Sequence, residues 1–375
     1  MVGRTRLWFM PEITIPENLK PADGRFGAGP AKIRKAQMDA FLSEGSKIMG
    51  TSHRQAPVKN TVKRVQHGLE KLFRLPDGYE IILGNGGSTA FWDAAAFSLA
   101  ENKAQALVHG EFGGKFAKAL ETPWLEAPKV INAEPGSRGN FEPADEFDLY
   151  VYPHNETSTG VVTPVHRVGN GLMLTDATSA AGGIDFDIND TDAYYFAPQK
   201  NLGSDGGIWF AAVSPNAIER IEKLAGTRYI PAFLDLKTAL DNSRLNQTLN
   251  TPAVATLFLL AEQLDWMNEN GGLSWSSART KQSSDLLYAW AEKNSFSTPF
   301  VNNPEHRSQV VVTIDFDDSV DAAVVAKTMR ENGIVDIEPY RKLGRNQLRV
   351  ATFVNTDPTE VQALIECLDY VIERL

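Results

Sequence analysis

The sequence predicts an α/β fold, with a mostly parallel sheet in a large domain and a smaller C-terminal α+β domain. Apolar runs of strand length alternate with helical patterns, and polar or glycine-rich loops follow the runs. Near residue 253 a long helical pattern begins, and strand, helix, strand and helix follow it. A chain of 375 residues accommodates two domains. We expect an extended arm over 1–24, the large domain over 25–262 and the small domain over 263–375.

The elements of the large domain follow in a regular order. Apolar residues at helical spacing predict a first amphipathic helix: Val58, Val62, Val65, Leu69 and Leu72. The segments "GYEIILGNGGSTAFWDAAAFSLA" and "QALVHGEFGGKFAKAL" each predict a strand, a glycine turn and a helix. "FDLYVYPHNETSTG" and "GLMLTDATSAAGG" each predict a strand and a loop, and "DAYYFAPQKNLGSDGGIWFAAVSP" predicts a strand pair around Lys200. Alternation of this kind is typical of a sheet covered on both faces.

Composition excludes several classes of function. The net charge of −10, with no basic stripe, argues against nucleic acid as a partner. The single cysteine, Cys367, permits no intramolecular disulfide and no cysteine metal cluster, so we expect no metal. An N-terminal apolar run of four residues is too short for a signal peptide, and no segment has the length of a membrane span. We expect a cytoplasmic protein with no membrane partner.

Lys200 stands out because it follows a strand-like apolar run and precedes three glycines, in "AYYFAPQKNLGSDGG". One interpretation is a solvated lysine at the end of a strand. The other is a Schiff-base lysine, whose amine must be partly desolvated to lose its proton near neutral pH. The glycines would then let the backbone approach a cofactor closely.

Two further stretches fit a cofactor cleft. Asp176 follows the apolar run "GLMLT", where it is either a loop cap or a carboxylate that keeps a pyridine nitrogen protonated. At the carboxyl end of a parallel strand it could share a crevice with Lys200. The turn "GNGGST" lacks the pattern of a nucleotide loop. It still offers amides at a helix N-terminus, and the hydroxyls of Ser88 and Thr89, to a phosphate, although an ordinary N-cap explains one hydroxyl.

Three cationic or titratable side chains are candidates for anion binding. His53 and Arg54 lie together in "GTSHRQAP", as an exposed pair or as ligands of an anionic group. Arg349 lies within the apolar stretch "QLRVATFV". A charge in a half-buried strand needs a partner, which is either a structural carboxylate or a substrate carboxylate.

Taken together, these stretches resemble the phosphoserine aminotransferase family, which consists of fold-type I, class V enzymes that use pyridoxal 5'-phosphate. The similarity runs from "RFGAGPAKI" to "LRVATFVN", and its most specific pieces are "TSHR", "HNETSTG", "TDATSAAGG", "APQKNLGSDGG" and "LNTP". The resemblance implies a transamination in which glutamate leaves as 2-oxoglutarate. 3-Phosphohydroxypyruvate then takes the amino group and leaves as O-phospho-L-serine. A phosphohydroxythreonine step of vitamin B6 synthesis is also within the range of the family.

The resemblance also implies roles for the matching residues. Lys200 would bind the cofactor covalently and carry the proton at the substrate Cα, and Asp176 would pair with the pyridine nitrogen. The other cofactor contacts would be Gly87, Ser88, Thr89, Phe112, Thr157, Gln199, and Asn250 and Thr251 donated across a homodimer. The substrate phosphate would bind His53 and Arg54, and its α-carboxylate Arg349.

This chain departs from the better-known branch of the family at two positions. That branch has arginine at the position of Ser88 and tryptophan at that of Phe112. The lost cation weakens the argument for phosphate, and Arg341, Lys342 and Arg345 are the candidates to replace it.

Two alternatives remain open: another class V aminotransferase, such as a serine or alanine–glyoxylate enzyme, and a non-catalytic anion-binding protein of the same fold. A cysteine desulfurase is disfavoured, because Cys367 falls in the final helical pattern rather than in a mobile loop.

Overall fold

The computed structural model describes residues 13–375, so residues 1–12 of the expected arm lie outside the described residues. The helices are α1 (Lys35–Ser43), α2 (Ala56–Phe73), α3 (Ser88–Ser98), α4 (Glu111–Ala119), α5 (Pro215–Ala225), α6 (Leu236–Arg244), α7 (Val254–Glu269), α8 (Gly272–Lys293), α9 (Ala322–Glu331) and α10 (Pro358–Ile372). The strands are β1 (Glu80–Asn85), β2 (Ala104–Val108), β3 (Lys129–Asn132), β4 (Leu149–Pro153), β5 (Asn155–Glu156), β6 (Val161–Val162), β7 (Leu172–Asp176), β8 (Ala193–Phe196), β9 (Ile208–Val213), β10 (Ser297–Pro299), β11 (Val311–Phe316) and β12 (Gln347–Ala351).

A seven-stranded sheet forms the centre of the large domain, in the order β1-β9-β8-β7-β4-β2-β3. The pairs from β8 to β3 are all parallel, whereas β9 runs antiparallel to both of its neighbours. This arrangement confirms the predicted α/β class and the predicted strand pair around Lys200. The strands of its centre are fully buried, because helices cover both faces.

The two faces of the sheet form separate cores. On one face α3, α4, α5 and α6 contribute to a cluster that includes Phe91 and Tyr195, whose rings stack 4.3 Å apart. On the other face α2 and α7 pack on residues that include Tyr194 and Phe210. The apolar stripe predicted for the first helix is buried as expected: Val58, Val62, Val65, Leu69 and Leu72.

The small domain packs α8, α9 and α10 against the antiparallel strands β10, β11 and β12. The described part of the N-terminal segment lies on this domain. Ile15 is buried in its core, and the Ile15 amide donates to the Asn332 side chain at 2.8 Å. Within residues 13–375, no helix is both long enough and apolar enough to cross a membrane.

Because β1, β2, β4, β7 and β8 all point the same way, their carboxyl ends meet at one edge of the sheet. At that edge Asp176 lies opposite Pro153 on one side and Tyr195 on the other. The loops that follow these strands carry the predicted glycine turn, Phe112, Thr157 and Lys200. The fold therefore brings residues that are far apart in sequence to the crevice where parallel sheets bind ligands.

Candidate active site

A pocket of about 460 Å³ lies at this edge, between the large domain and two residues near β12. Nine of the predicted site residues line it: Gly87, Ser88, Thr89, Phe112, Thr157, Asp176, Gln199, Lys200 and Arg349. The pocket also contains Ala28, Gly29, Pro30, Trp92, Asn155, Thr178, Ser179 and Tyr340, none of which the sequence had singled out as site residues.

Lys200 is buried in the pocket, with 8% of its surface exposed. Its Nζ donates to Thr157 Oγ1 at 2.9 Å and lies 5.1 Å from the centre of the Phe112 ring. Burial lowers the pKa of Lys200 to about 8; the Asp176 carboxylate opposes that shift, and the Arg349 cation adds to it. Gly29 has a φ of +139°, and a Cβ there would lie 3.0 Å from Lys200 Cε. The lysine is therefore held in a tight, desolvated channel that favours a reactive amine.

Asp176 is the last residue of β7 and is also buried. Its Oδ1 accepts hydrogen bonds from the Thr178 amide at 2.9 Å and from Thr178 Oγ1 at 2.6 Å. Its Oδ2 accepts a longer bond, 3.3 Å, from the indole nitrogen of Trp92, which also donates to Tyr195 Oη at 3.0 Å. Three donors thus fix the carboxylate in the pocket wall, where it can hold a cationic ring nitrogen.

The pocket also contains the N-terminus of α3. Its N-cap is Gly87, which provides no side-chain cap, so the first amides of the helix have no partner within it. A Cβ built on Gly87 would meet nothing within 4 Å, which means that the space in front of the turn is open. The Ser88 hydroxyl is 2.6 Å from Thr178 Oγ1 and links this turn to the Asp176 network. Amides and helix dipole together form a binding place for a phosphate.

Three buried polar atoms of pocket residues lack a hydrogen-bond partner within the described part of the chain: Gln199 Oε1, Asn155 Oδ1 and Arg349 Nε. Unpartnered polar atoms are costly inside a protein, so their convergence on one cavity indicates a polar ligand. Arg349 makes no ion pair with any residue from 13 to 375, and its Nη1 donates to the Thr157 carbonyl at 3.1 Å. Burial lowers the pKa of Arg349, while Tyr340 and Glu156 act in the opposite direction. A structural carboxylate for Arg349 is therefore not seen.

Seven of the predicted residues do not line the pocket of their own chain, and four of them lie together: His53, Arg54, Asn250 and Thr251. His53 Nδ1 is 3.1 Å from Thr251 Oγ1, and Asn85 binds both the Thr251 carbonyl and the Asn250 amide. Arg54 bonds to the Gln247 side chain and to the Leu249 carbonyl. Partial burial lowers the pKa of His53, and the neighbouring Arg54 adds to this effect. The segments 50–54 and 247–251 therefore form one surface next to the glycine turn.

The three cations predicted near residue 340 have different surroundings. Lys342 pairs with Glu111 at 2.5 Å, and Arg345 pairs with Asp315 at 2.5 Å. Arg341 makes no ion pair with any described residue, and it follows Tyr340, whose ring lines the pocket 5.4 Å from the Arg349 guanidinium. Arg341 is thus the only cation of the three that keeps its charge available.

Some of the additional pocket residues carried a signal in the sequence. Trp92 lies one helical turn after Ser88 and therefore faces the same side of α3. Asn155 and Thr178 belong to the segments "HNETSTG" and "TDATSAAGG", which follow β4 and include the end of β7. Tyr340 carried none, because it reaches the pocket through the packing of the small domain.

Comparison with known proteins agrees with this geometry. Residues 26–336 match the model of the class-V aminotransferase family. A phosphoserine aminotransferase of Nocardioides sp. (strain ATCC BAA-499 / JS614) is 56% identical over 370 residues, which cover 97% of this chain and 99% of that protein. The chain belongs to the class-V aminotransferase family. The resemblance noted in the sequence is confirmed.

Solved structures show the same fold. A phosphoserine aminotransferase from Cytophaga hutchinsonii ATCC 33406 aligns with a TM-score of 0.84 and 23% identity, over 94% of this chain and 99% of that one. A phosphoserine aminotransferase from Trichomonas vaginalis, described as bound to PLP, aligns with a TM-score of 0.79 and 18% identity, over 92% and 99%. At these identities the similarity concerns the fold of the class-V aminotransferase alone.

Proposed function

We propose that this class-V aminotransferase is a pyridoxal-phosphate-dependent phosphoserine aminotransferase. It would transfer the amino group of glutamate to 3-phosphohydroxypyruvate, giving 2-oxoglutarate and O-phospho-L-serine. The observation that carries the proposal is the buried pair Lys200 and Asp176 in one pocket with the helix N-terminus at Gly87. The 56% identity to a protein of that name over almost the whole chain supports the choice of substrate.

The residues of the pocket fit pyridoxal phosphate. Asp176 would hold the ring nitrogen, and the amides at the start of α3 would hold the phosphate. Phe112 would lie against the ring, while Gln199 Oε1 and Asn155 Oδ1, both unpartnered, offer acceptors at its edge. When bound, the cofactor supplies a carbonyl carbon for the amino group and a ring that withdraws electrons.

Lys200 would act as the general base and acid at the substrate Cα. With a pKa of about 8, a substantial fraction of its amine is neutral near physiological pH and can take up a proton. The hydrogen bond from Nζ to Thr157 Oγ1 orients the amine of Lys200. The close approach of Gly29 limits the other orientations of the lysine side chain. Burial of Lys200 and Thr157 keeps water away from the transferred proton.

Two cations would select the substrate. Arg349 would bind the α-carboxylate, because its guanidinium is buried at the pocket and lacks a carboxylate partner among residues 13–375. For the phosphate, or for the side-chain carboxylate of glutamate, we propose Arg341, since Lys342 and Arg345 are neutralised by Glu111 and Asp315.

We further propose that the active form is a homodimer. The surface formed by the segments 50–54 and 247–251 is adjacent to exposed apolar side chains: Met49, Phe233 and Leu249. In a dimer built through this surface, His53, Arg54, Asn250 and Thr251 would face the pocket of the partner subunit. There Arg54 and the imidazole of His53 would contribute to phosphate binding and the other two residues to cofactor binding. A cytoplasmic location is also part of the proposal, and the single buried thiol of Cys367 suits it.

The test is a half-reaction followed by visible absorbance. The yellow holoenzyme is mixed separately with O-phospho-L-serine, L-serine, L-alanine and L-glutamate. We expect rapid loss of the absorption band with phosphoserine and glutamate only. Bleaching by alanine or unphosphorylated serine at a similar rate would instead assign the chain to an alanine or serine–glyoxylate enzyme. A colourless protein that binds no pyridoxal phosphate would indicate a non-catalytic relative.

A further inference from the structure

Glu156 is a buried carboxylate directly behind the pocket, next to Thr157 in sequence. Its Oε2 accepts hydrogen bonds from the amides of Phe112 at 3.1 Å and Gly113 at 3.0 Å. Its Oε1 accepts from the Ser158 amide at 3.1 Å and from the Ser158 hydroxyl at 2.6 Å. Four donors therefore converge on one side chain that has no role in the proposed reaction so far.

These bonds form the N-terminal cap of α4, supplied by a distant loop. The N-cap residue of α4, Gly110, has no side chain to bind the free amides. Ser158 Oγ accepts from the Glu111 amide at 3.1 Å, and Glu156 binds the next two amides. A Cβ on Gly110 would lie 2.8 Å from Glu156 Cγ, so the glycine is what admits the capping carboxylate.

The hydrogen bonds determine the charge of Glu156. Burial is the largest effect and raises its pKa, the Asp176 carboxylate adds to the rise, and the bonds from Ser158 and Gly113 oppose it. Three of the four partners are backbone amides, which can only donate, and they bind the ionised carboxylate better than a carboxylic acid. The helix dipole at the same point also favours the anion. The amide donors and the helix N-terminus therefore favour the ionised carboxylate against the effect of burial.

We propose that Glu156 is a positioning residue of the active site, which fixes Phe112 against the Thr157 loop and supplies a second negative charge behind Lys200. The cap joins the first turn of α4, which carries Phe112, to the segment after β4, which carries the Thr157 partner of Lys200. The inference rests on the proposed function for the role of Lys200.

Several ionisable groups surround this point. Asp176, Lys200 and Arg349 lie in the pocket, and the Glu111–Lys342 pair lies at the start of α4. Both Asp176 and Glu156 favour the protonated form of Lys200, whereas Arg349 disfavours it. Removal of the Glu156 charge alone should therefore make the Lys200 nitrogen give up its proton at a lower pH.

The test compares Glu156→Gln with the wild-type holoenzyme. The readout is the pH midpoint of the visible absorption band, which reports protonation at Lys200 Nζ, together with the Kd for pyridoxal phosphate. We expect the midpoint to fall by roughly 0.5–1 unit. We expect the Kd to rise about tenfold, since a neutral Gln oxygen binds the Phe112 amide more weakly and the NH2 group of Gln faces the donors of Ser158.

Asp321→Asn is the matched control, because Asp321 also caps a helix by accepting from two backbone amides, but far from the pocket residues in the small domain. Asp321→Asn should lower the melting temperature without changing the pH midpoint of the absorption band or the Kd for pyridoxal phosphate. A Glu156→Gln protein that melts earlier but keeps the wild-type midpoint would overturn the proposal and leave a purely structural cap.

A second measurement does not depend on the variant folding. In the wild-type holoenzyme, hydrogen exchange at the amides of Phe112 and Gly113 should be strongly slowed by the cap. Exchange as fast as in a freely fraying helix end would contradict the account. Neither hydrogen exchange nor the Asp321→Asn control depends on which amino acid is the substrate. A failure of the proposed substrate can therefore be distinguished from a failure of the role proposed for Glu156.

Discussion

Lys200 Nζ and Thr157 Oγ1 are joined by a hydrogen bond of 2.9 Å that connects the loops after β8 and β4. Thr157 Oγ1 in turn donates to Ser179 Oγ at 2.9 Å, and Asn155 donates to the same oxygen at 2.8 Å. The reactive lysine is therefore one end of a buried polar chain rather than a free side chain. The orientation of the Lys200 side chain depends on neutral hydrogen-bond partners. These contacts therefore do not compensate the charge of its ammonium group.

The uncompensated amine makes stability depend on pH in the protein stripped of cofactor. The pKa of Lys200 is about 8 in the folded protein and 10.5 in its ordinary state, so below pH 8 both states carry the proton. Burying the ammonium there costs about 3 kcal/mol, and the cost disappears as the pH rises from 8 to 10.5. Lys200→Met should therefore stabilise the cofactor-free protein by up to about 3 kcal/mol at pH 7 and by much less near pH 10.

Urea unfolding at the two pH values measures this difference. Lys32→Met is the opposite control, because Lys32 is buried against Glu360 at 2.5 Å and its loss leaves that carboxylate without its cation, with the Asp357 amide as its donor. That variant should lose about 3 kcal/mol. A Lys200→Met protein that is less stable than the wild type at pH 7 would show that the buried ammonium group does not destabilise the folded protein.

The turn after Lys200 depends on Gly203. Its φ is +52°, and a Cβ there would lie 1.9 Å from Asn355 Nδ2, a buried amide that also binds the Lys32 carbonyl. We expect Gly203→Ala to lower the free energy of unfolding by about 2–4 kcal/mol and to weaken cofactor binding.

Gly206→Ala is the matched control for that prediction, because a Cβ on Gly206 meets nothing within 4 Å. It should change the free energy of unfolding by less than about 1 kcal/mol. Equal losses in the two variants, measured by denaturant titration, would mean that the Asn355 contact does not restrict the turn.

Arg349 should control the affinity for the substrate carboxylate. Arg349→Lys keeps the charge but loses the planar fork, and we expect kcat/KM for phosphoserine to fall about 100-fold. Arg345→Lys is the matched control, because Arg345 lies two residues before the start of β12, the strand that carries Arg349, and is paired with Asp315. Steady-state kinetics should show less than a threefold change in that variant. Similar losses in both would remove Arg349 from its proposed role.

Arg54 should contribute to phosphate recognition across the dimer. We expect Arg54→Ala to slow the half-reaction with O-phospho-L-serine at least tenfold more than the residual half-reaction with L-alanine, because alanine has no distal anion. Arg74→Ala serves as the control, since Arg74 is paired with Asp185 on another surface. Equal, small effects of Arg54→Ala on both amino acids would contradict the assignment.

The sequence predicts the sheet and the part of the pocket that the large domain forms, for a physical reason. Parallel strands leave their loops at one edge, so Asp176 and Lys200 could be placed in a common crevice from the order of apolar runs alone. Helix α8 was not predicted, because "GLSWSSARTKQSSDLLYAWAEK" is rich in serine and has no continuous apolar stripe.

On the small-domain side of the pocket, Arg349 was a candidate but the place of Tyr340 could not be predicted. Tyr340 reaches it only because the small domain packs against the large one, and nothing local in "EPYRKLGR" indicates that contact. The pairing of Arg345 with Asp315 depends on the register of β11 and β12, in which Asp315 lies opposite Gln347. The sequence therefore could not distinguish Arg345 from Arg341, which has no ion-pair partner in the described chain.

The most direct test of the central claim is to locate the covalent attachment of the cofactor. The holoenzyme is reduced with borohydride and digested, and the peptides are analysed by mass spectrometry. We expect one phosphopyridoxyl group per chain, on Lys200. A label on another lysine, such as the buried Lys32, or no label on protein that shows full transaminase activity, would contradict it.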